Sequence, residues 1–244
     1  MANPATSTGP LGTRPVYVQH DAALLARLVG AGHPCCQGVI LPFPMPAPGA
    51  MEVFASFADG NPLAADWLLD LDIPGERIVA WSGTMSDELF GDDPRTWMPA
   101  GQEAFRQFCD SAAPTLLLRG RRLAFRPHAR HVLSDVQSSL TFLRTRAGQP
   151  FEILLAPADL LTPALLADAE DHLTRAFEAL GPRASGVLLQ DAVVEGDRLR
   201  PVPLGEGLLP AAPLRALLDR CVPADTPIIL SPARLDAQLR WLAG

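Results

Sequence analysis

The segment 151-FEILLAPADLL-161 is a short apolar run that ends in small and polar residues. Three more segments of the second half share this form, namely 121-RRLAFRPHARH-131, 186-GVLLQDA-192 and 227-PIILSP-232. Each of the four is followed by a stretch with apolar residues at helical spacing. Strands that alternate with helices imply a parallel sheet, because parallel neighbours need a crossover connection. The continuous apolar character of the runs is typical of strands covered on both faces.

The first half continues the alternation less regularly. The strand 15-PVYVQH-20 precedes the helix 21-DAALLARLVGAG-32, which has an Asp at its cap, and the apolar run 38-GVILPFP-44 follows as a strand. Helices are predicted around Met51–Phe57 and Leu63–Leu71, and one degenerate barrel strand is the open alternative in this part of the chain.

Further along, the strand 77-RIVAWSG-83 leads into the acidic connection 86-SDELFGDDPRTW-97. A connection this long is either a functional loop or lid, or an ordinary decorated loop. A helix follows at 101–113, and the apolar run 115–120 together with 121–125 is predicted to be strand.

Length and composition limit the function classes. The 244 residues fit one domain, with residues 1–14 as a flexible leader and 15–244 as the folded unit. A net charge of −7 argues against a nucleic-acid partner, and no apolar run is long enough for a membrane span. The four cysteines lack CxxC spacing, which favours reduced thiols in a cytoplasmic protein. The chain contains no lysine, so Schiff-base chemistry is excluded.

Periodicity alone leaves a closed barrel and an open doubly wound sheet as alternatives. Neither GxGxxG nor GxxxxGK[ST] occurs, so the two common phosphate-cradle motifs of open sheets are missing. The choice between the two architectures depends on the ends of the four strands.

In pattern and order these strands resemble those of the sugar isomerase/epimerase family with the xylose-isomerase-like TIM barrel. The segment 125-FRPH-128 keeps the family's Pro and His, 155-LAPADL-160 keeps its Leu, Pro and Leu, and 187-VLLQD-191 keeps its Val, Leu and Asp. The turn 204-LGEG-207 is similar to the Gly-x-Gly turn before the family's penultimate helix. The resemblance implies a (β/α)8 TIM barrel.

The same resemblance implies that the family's divalent metal is not bound here and that no cofactor is used. Where the family has Glu, Asp, His and Glu as ligands, this chain has Arg126, Ala156, Leu188 and Ser231. None of these is a usual metal ligand. The permanent cation of Arg126 would repel a divalent ion and is suited to binding a carboxylate or phosphate in bidentate fashion.

Two carboxylates, Asp159 and Asp191, are the catalytic candidates, since both follow strand ends, where barrel enzymes place their chemistry. The more common alternative is structural: Asp159 caps a helix, and Asp191 forms a salt bridge with Arg126 or another arginine. The ligand-binding candidates are Arg126, His20, His128, Gln190, Glu206 and Ser231. The spacing of His128 and His131 would allow a shared metal, but ordinary hydrogen bonds are the more frequent use of such loop histidines.

The sequence leaves three candidate functions, each from a different class of protein. The first is a metal-independent isomerase or epimerase acting on a small sugar derivative through Asp159 and Asp191. The second is a non-catalytic relative that binds a small anionic or sugar-like ligand, or a protein partner, through Arg126 and the acidic loop around Asp87–Asp93. The third is a structural or assembly scaffold, because fold does not determine function. The replaced ligands place the second slightly ahead.

Overall fold

The computed structural model describes residues 14–29, 36–45, 52–67, 69 and 71–243. Its central feature is a closed barrel of eight strands surrounded by helices. The strands are β1 (Val16–Asp21), β2 (Cys36–Phe43), β3 (Ala55–Ala58), β4 (Arg77–Trp81), β5 (Arg122–Arg126), β6 (Phe151–Leu155), β7 (Gly186–Leu188), β8 (Asp191–Glu195), β9 (Arg198–Val202) and β10 (Ile228–Leu230). The α-helices are α1 (Ala22–Val29), α2 (Pro99–Leu118), α3 (Val136–Thr145), α4 (Ala169–Leu180), α5 (Ala211–Cys221) and α6 (Leu235–Ala243). The predicted (β/α)8 TIM-barrel class is confirmed.

One barrel strand runs against the others. The order around the barrel is β1-β10-β7-β6-β5-β4-β3-β2, and β2 pairs antiparallel with both β1 and β3. The remaining neighbours around the barrel pair in parallel. A helix between two strands does not by itself require a parallel pair, because antiparallel neighbours accept connections of any length. The strand predicted at 38–44 is therefore present, but it runs antiparallel to its neighbours.

Three local predictions were wrong. The helix expected around Met51–Phe57 is replaced at its end by β3, and residues 63–67 of the second expected helix form turns. The run 115–120 is not a strand, because α2 continues through Pro114 to Leu118. Phe105, Cys109, Ala112 and Leu116 are all buried, so the helical period of the apolar face continues past the proline and outweighs its lost hydrogen bond.

The strands place alternate side chains inside and outside the barrel. The interior is a buried apolar cluster to which most of the barrel strands contribute: Ile40, Ala55, Phe57, Val79, Ala124, Leu154, Ala156, Leu188 and Ile229. Two larger apolar clusters lie between the strands and the helices. The lumen is therefore a packed core, so a ligand site of the barrel must lie at one of its two mouths.

The stretch after β7 contains a hairpin that the sequence analysis did not predict. Here β8 and β9 form a two-stranded hairpin separate from the barrel sheet. Gly196, with φ +64°, begins the two-residue turn between them. The signal was present as Gly196-Asp197 between two alternating runs, a pattern typical of a tight hairpin.

The predicted leader lies outside the described residues except for Arg14. The guanidinium of Arg14 donates hydrogen bonds to the carbonyl oxygens of Pro223 at 2.7 Å and Val222 at 2.9 Å, just beyond α5. Among the described cysteines, Cys36 and Cys109 are buried and Cys221 is partly buried. None of the described helices is long and apolar enough to cross a membrane.

Candidate functional site at the C-terminal mouth of the barrel

The C-terminal ends of β4 and β5 bring an aromatic and a cationic side chain together. Trp81 and Arg126 are paired across these two strands. By alternation both lie on the face of Val79 and Ala124, which point into the barrel. The guanidinium carbon of Arg126 lies 4.4 Å from the centroid of the Trp81 ring. This is a cation–π contact, and it holds the guanidinium across the mouth.

Asp159 and Gln190 fix the same guanidinium from the next two strand ends. Arg126 Nε donates to Asp159 Oδ2 at 2.5 Å, and Nη2 donates to Gln190 Oε1 at 3.0 Å. The two charged side chains are only 8% and 6% exposed. Asp159 therefore pairs with Arg126, the partner that the sequence analysis had considered for Asp191. No hydrogen bond among the described residues uses Arg126 Nη1.

A cavity of about 360 Å³ opens above this pair. Arg126, Asp159, Gln190 and His128 all line it, so four of the predicted site residues meet at one place. Other parts of its wall come from β1, β4, the acidic loop and the hairpin: Gln19, Trp81, Phe90, Glu195, Asp197, Arg198, Leu199, Arg200 and Pro201. The volume suits a small ligand.

Four aromatic rings pack together beside the cavity, and this ring cluster consists of Trp81, Phe90, His128 and His131. The first three line the cavity, and His131 is buried behind them. The rings of the two histidines are 4.9 Å apart, and Phe90 stacks on His131 at 5.4 Å. His131 also contacts the carbonyl oxygen of Leu89 through Nε2 at 2.8 Å. The acidic loop is thus anchored to the mouth through its apolar residues.

Both histidines of the ring cluster are held neutral. Burial, assisted by the positive charge of Arg126, lowers the pKa of His128 to about 3. Burial, assisted by the neighbouring His128, lowers the pKa of His131 to about 3. His128 Nδ1 accepts the backbone N–H of Arg130 at 3.1 Å. The described residues offer no partner to the buried Nδ1 of His131.

Arg130 ties the hairpin to the mouth. Its Nη2 donates to Asp197 Oδ2 at 2.8 Å, and its Nη1 lies 3.9 Å from Asp92 of the acidic loop. At the base of the hairpin, Asp191 Oδ1 accepts the backbone N–H of Leu209 at 2.9 Å. Both ends of the hairpin are therefore held, and its β9 strand lies along the cavity.

The other predicted site residues do not line this cavity. Asp191 is buried at the hairpin base, where its Oδ1 accepts backbone N–H groups. Ser231 Oγ accepts the N–H of Ala233 at 3.2 Å, and Glu206 forms an ion pair with Arg234 at 3.0 Å. His20 pairs with Val39 between β1 and β2, and burial lowers its pKa. Each of these four has a local structural contact.

The positions that match the family's metal ligands do not fit a divalent ion. Ala156 is 2% exposed and Leu188 is 0% exposed, and both belong to the apolar barrel interior. Arg126 brings a positive charge to the same mouth. Across the described part of the chain, no group of three or more His, Cys, Asp or Glu side chains is arranged to hold a metal. This donor set is one that hard divalent cations do not use.

Sequence reasoning missed several residues of the mouth. Trp81 was not among the candidate residues, although its place at the end of a strand was the available signal. Phe90 lies in the acidic loop 86–97, for which the sequence analysis named only acidic residues. Arg198 and Arg200 reach the cavity on the β8–β9 hairpin, which the sequence analysis did not predict.

No family model and no curated protein sequence matches the chain. Several solved structures are similar to it. One is a probable 3-DHS dehydratase involved in petrobactin synthesis from Bacillus anthracis, with 11% identity, a TM-score of 0.49, and coverage of 69% of this chain and 62% of that one. Another is a xylose isomerase domain protein from Planctomyces limnophilus, with 11% identity, a TM-score of 0.48, and coverage of 69% and 55%.

A third similar structure is a xylose-isomerase-like TIM-barrel protein from Mycobacterium smegmatis in complex with magnesium, with 10% identity, a TM-score of 0.46, and coverage of 70% and 62%. An L-ribulose 3-epimerase is also among the similar structures, with 14% identity, a TM-score of 0.48, and coverage of 69% of this chain and 54% of that one. The match spans 62% or less of each of these four chains. Likeness at this level concerns the fold and assigns no role to any residue.

Proposed function

We propose that this protein is a ligand-binding TIM barrel that takes a small anionic, sugar-like molecule at its C-terminal mouth without a divalent metal. The observation that carries the proposal is the Arg126 guanidinium. It is buried, is held by two side chains and one ring, and lines a cavity of about 360 Å³, and no described residue accepts a hydrogen bond from its Nη1. A fixed, partly unsatisfied guanidinium is suited to the oxygens of a carboxylate or phosphate.

The shape of the wall supports a sugar-like ligand. Trp81 and Phe90 lie 5.1 Å apart at 89°, and both line the cavity. Aromatic faces accept the C–H faces of sugar rings and carbon chains, while polar groups opposite them fix the orientation. Gln19 and Gln190 line the same cavity and supply amide groups for hydroxyls.

Catalysis through Asp159 and Asp191 is the second candidate, and it has less support. A proton-transfer pair must reach the same substrate atom or its neighbours. Asp159 lines the cavity but is occupied by Arg126, whereas Asp191 serves the backbone of the hairpin base. None of the contacts described at this site specifically supports a scaffold role. The buried cysteines agree with a reducing cytoplasm, which we keep as the proposed location.

Isothermal titration calorimetry with sugar phosphates, sugar acids and neutral sugars tests the proposal. The informative protein is the double variant Arg126→Gln with Asp159→Asn, because it removes the pair without leaving one buried charge behind. The double variant should bind anions at least about 100-fold more weakly than the wild type does, because it lacks the charge-assisted hydrogen bonds to the ligand.

The matched control is Arg77→Gln with Glu152→Gln, which removes a similar pair from the opposite mouth of the barrel. This control should bind anions as the wild type does. Equal binding by the Arg126 variant, with circular dichroism confirming that it is folded, would overturn the proposal. Absence of anion binding by the wild type would do the same.

A further inference from the structure

The free hydrogen-bonding groups around the Arg126 guanidinium are mostly donors. Among the described residues, no bond uses Arg126 Nη1 or Gln190 Nε2, whereas Gln190 Oε1 already accepts from Arg126. Asp159 Oδ2 is likewise occupied by Arg126. The one carboxylate oxygen of this group without a hydrogen bond is Asp159 Oδ1. The groups around the guanidinium therefore offer several N–H groups and one carboxylate oxygen, and the amide of Gln19, which also lines the cavity, can donate or accept.

His128 adds a further donor, and its tautomer follows from geometry. The backbone N–H of Arg130 points to His128 Nδ1 at 3.1 Å, so Nδ1 accepts and carries no proton. In a neutral imidazole the proton must then be on Nε2. The low pKa of His128 agrees with the neutral form. No described residue accepts from Nε2, and His128 lines the cavity.

The formal charges of the lining leave room for one negative charge. The cationic lining residues are Arg126, Arg130, Arg198 and Arg200, and the anionic ones are Asp159, Glu195 and Asp197. Four positive and three negative side chains leave one positive charge. Asp92 reaches Arg130 from outside the lining at 3.9 Å, but it is 66% exposed, so solvent screens it. Solvent screens four of the lining charges in the same way, since the side chains of Arg198, Arg200, Glu195 and Asp197 are 48%, 52%, 64% and 71% exposed. The largely buried charges alone, Arg126 and Arg130 against Asp159, leave the same single positive charge.

We propose that the ligand is a small hydroxycarboxylic acid of one negative charge, whose carboxylate accepts from Arg126, Gln190 and His128 and whose hydroxyl donates to Asp159 Oδ1. This inference rests on the proposed function and narrows it. A carboxylate presents two oxygens to several donors, and the acceptor Asp159 Oδ1 selects a hydroxyl beside it. A phosphate monoester carries up to two negative charges, whereas the lining has only one unbalanced positive charge, so the second negative charge has no partner.

Titration calorimetry with matched compounds tests the inference on the full chain. Two series are suitable: glycerate, glycerol 3-phosphate and glycerol, and gluconate, glucose 6-phosphate and glucose. In at least one series the carboxylate should bind about tenfold or more tightly than the phosphate, and the neutral member should bind weakest. The variant His128→Phe keeps a ring in the ring cluster but removes the Nε2 donor.

For His128→Phe, the affinity for the carboxylate should fall about tenfold or more, since one hydrogen bond to a charged group is lost. His172→Phe, on α4 and outside the cavity lining, is the matched control and should bind as the wild type does. Phosphates that bind as tightly as their carboxylates, or an unchanged affinity in His128→Phe, would overturn the hydroxycarboxylate while leaving an anion-binding barrel. Failure of both anion classes would overturn the proposed function as well.

Discussion

The two mouths of the barrel carry related ion pairs on the same strands, yet they differ in what surrounds them. Arg77 and Arg122 are paired at the start of β4 and β5, and Trp81 and Arg126 are paired at their end. At the N-terminal mouth both arginines meet Glu152, at 2.8 and 3.3 Å. At the C-terminal mouth a single arginine is shared by an aspartate, an amide and an aromatic ring.

Exposure separates the roles of the two mouths. Side chains at the N-terminal mouth are 27%, 55% and 16% exposed for Arg77, Arg122 and Glu152, so water shares in their solvation. Arg126 and Asp159 are nearly buried and face a cavity. A solvated ion pair closes the lumen with little loss of solvation free energy. A desolvated ion pair with a free N–H group is suited to binding a ligand. Barrel proteins generally use their C-terminal mouth for chemistry and their N-terminal mouth for stability.

The largest expected effect is that of Arg126→Met. The substitution leaves Asp159 buried without its cation, so the free energy of unfolding should fall by about 3–5 kcal/mol. Urea denaturation followed by circular dichroism measures it. Adding Asp159→Asn should restore most of the loss. A decrease below about 1 kcal/mol would mean that the C-terminal pair is as solvated as the N-terminal one.

Acid should weaken the C-terminal mouth next. His128 and His131 have a folded pKa of about 3, below the ordinary 6.5, so the unfolded chain binds more protons as the pH falls from 6.5 towards 3. Between pH 7 and pH 5 each histidine should lower the free energy of unfolding by about 2 kcal/mol. His131→Phe should therefore shrink the pH 7 to pH 5 difference by about 2 kcal/mol in urea titrations. An unchanged difference would show that His131 titrates normally in the fold.

A smaller loss of stability is expected from adding a Cβ at Gly207, at the base of the β8–β9 hairpin. Within the described structure this hairpin belongs to the C-terminal mouth alone. A Cβ on Gly207 would lie 2.3 Å from Asp191 Oδ1 and 2.4 Å from the carbonyl oxygen of Ala192. Gly207→Ala should cost about 1–3 kcal/mol through overpacking. Thermal unfolding measures this cost, and an unchanged melting temperature would indicate that the hairpin base yields freely.

The smallest effect belongs to the N-terminal mouth. In Arg77→Met, Glu152 keeps Arg122 at 3.3 Å and remains partly solvated. The loss of stability should stay below about 1 kcal/mol and shrink further in high salt. Parallel urea titrations at low and high salt would check this. A loss equal to that of Arg126→Met would remove the distinction between the two mouths.

Part of the site was predictable because its residues follow strand ends. Arg126, Asp159, Gln190 and His128 were identified in this way, and all four line the cavity. Asp191 and Ser231 occupy similar places in the sequence but lie elsewhere. The pairing of Arg126 with Asp159 could not be predicted, since strand spacing leaves several carboxylates within reach of one arginine.

The sequence by itself determined the alternation of strands and helices and the residues that stand at four strand ends, Arg126, Ala156, Leu188 and Ser231. Apolar period and residue type are local properties, so both can be read along the chain. Only the tertiary structure decided that β2 is reversed and that Trp81 lies beneath the Arg126 guanidinium. It also decided that the β8–β9 hairpin supplies one wall of the cavity. These features depend on contacts between residues far apart in sequence, where packing and desolvation choose among partners that local patterns leave equivalent.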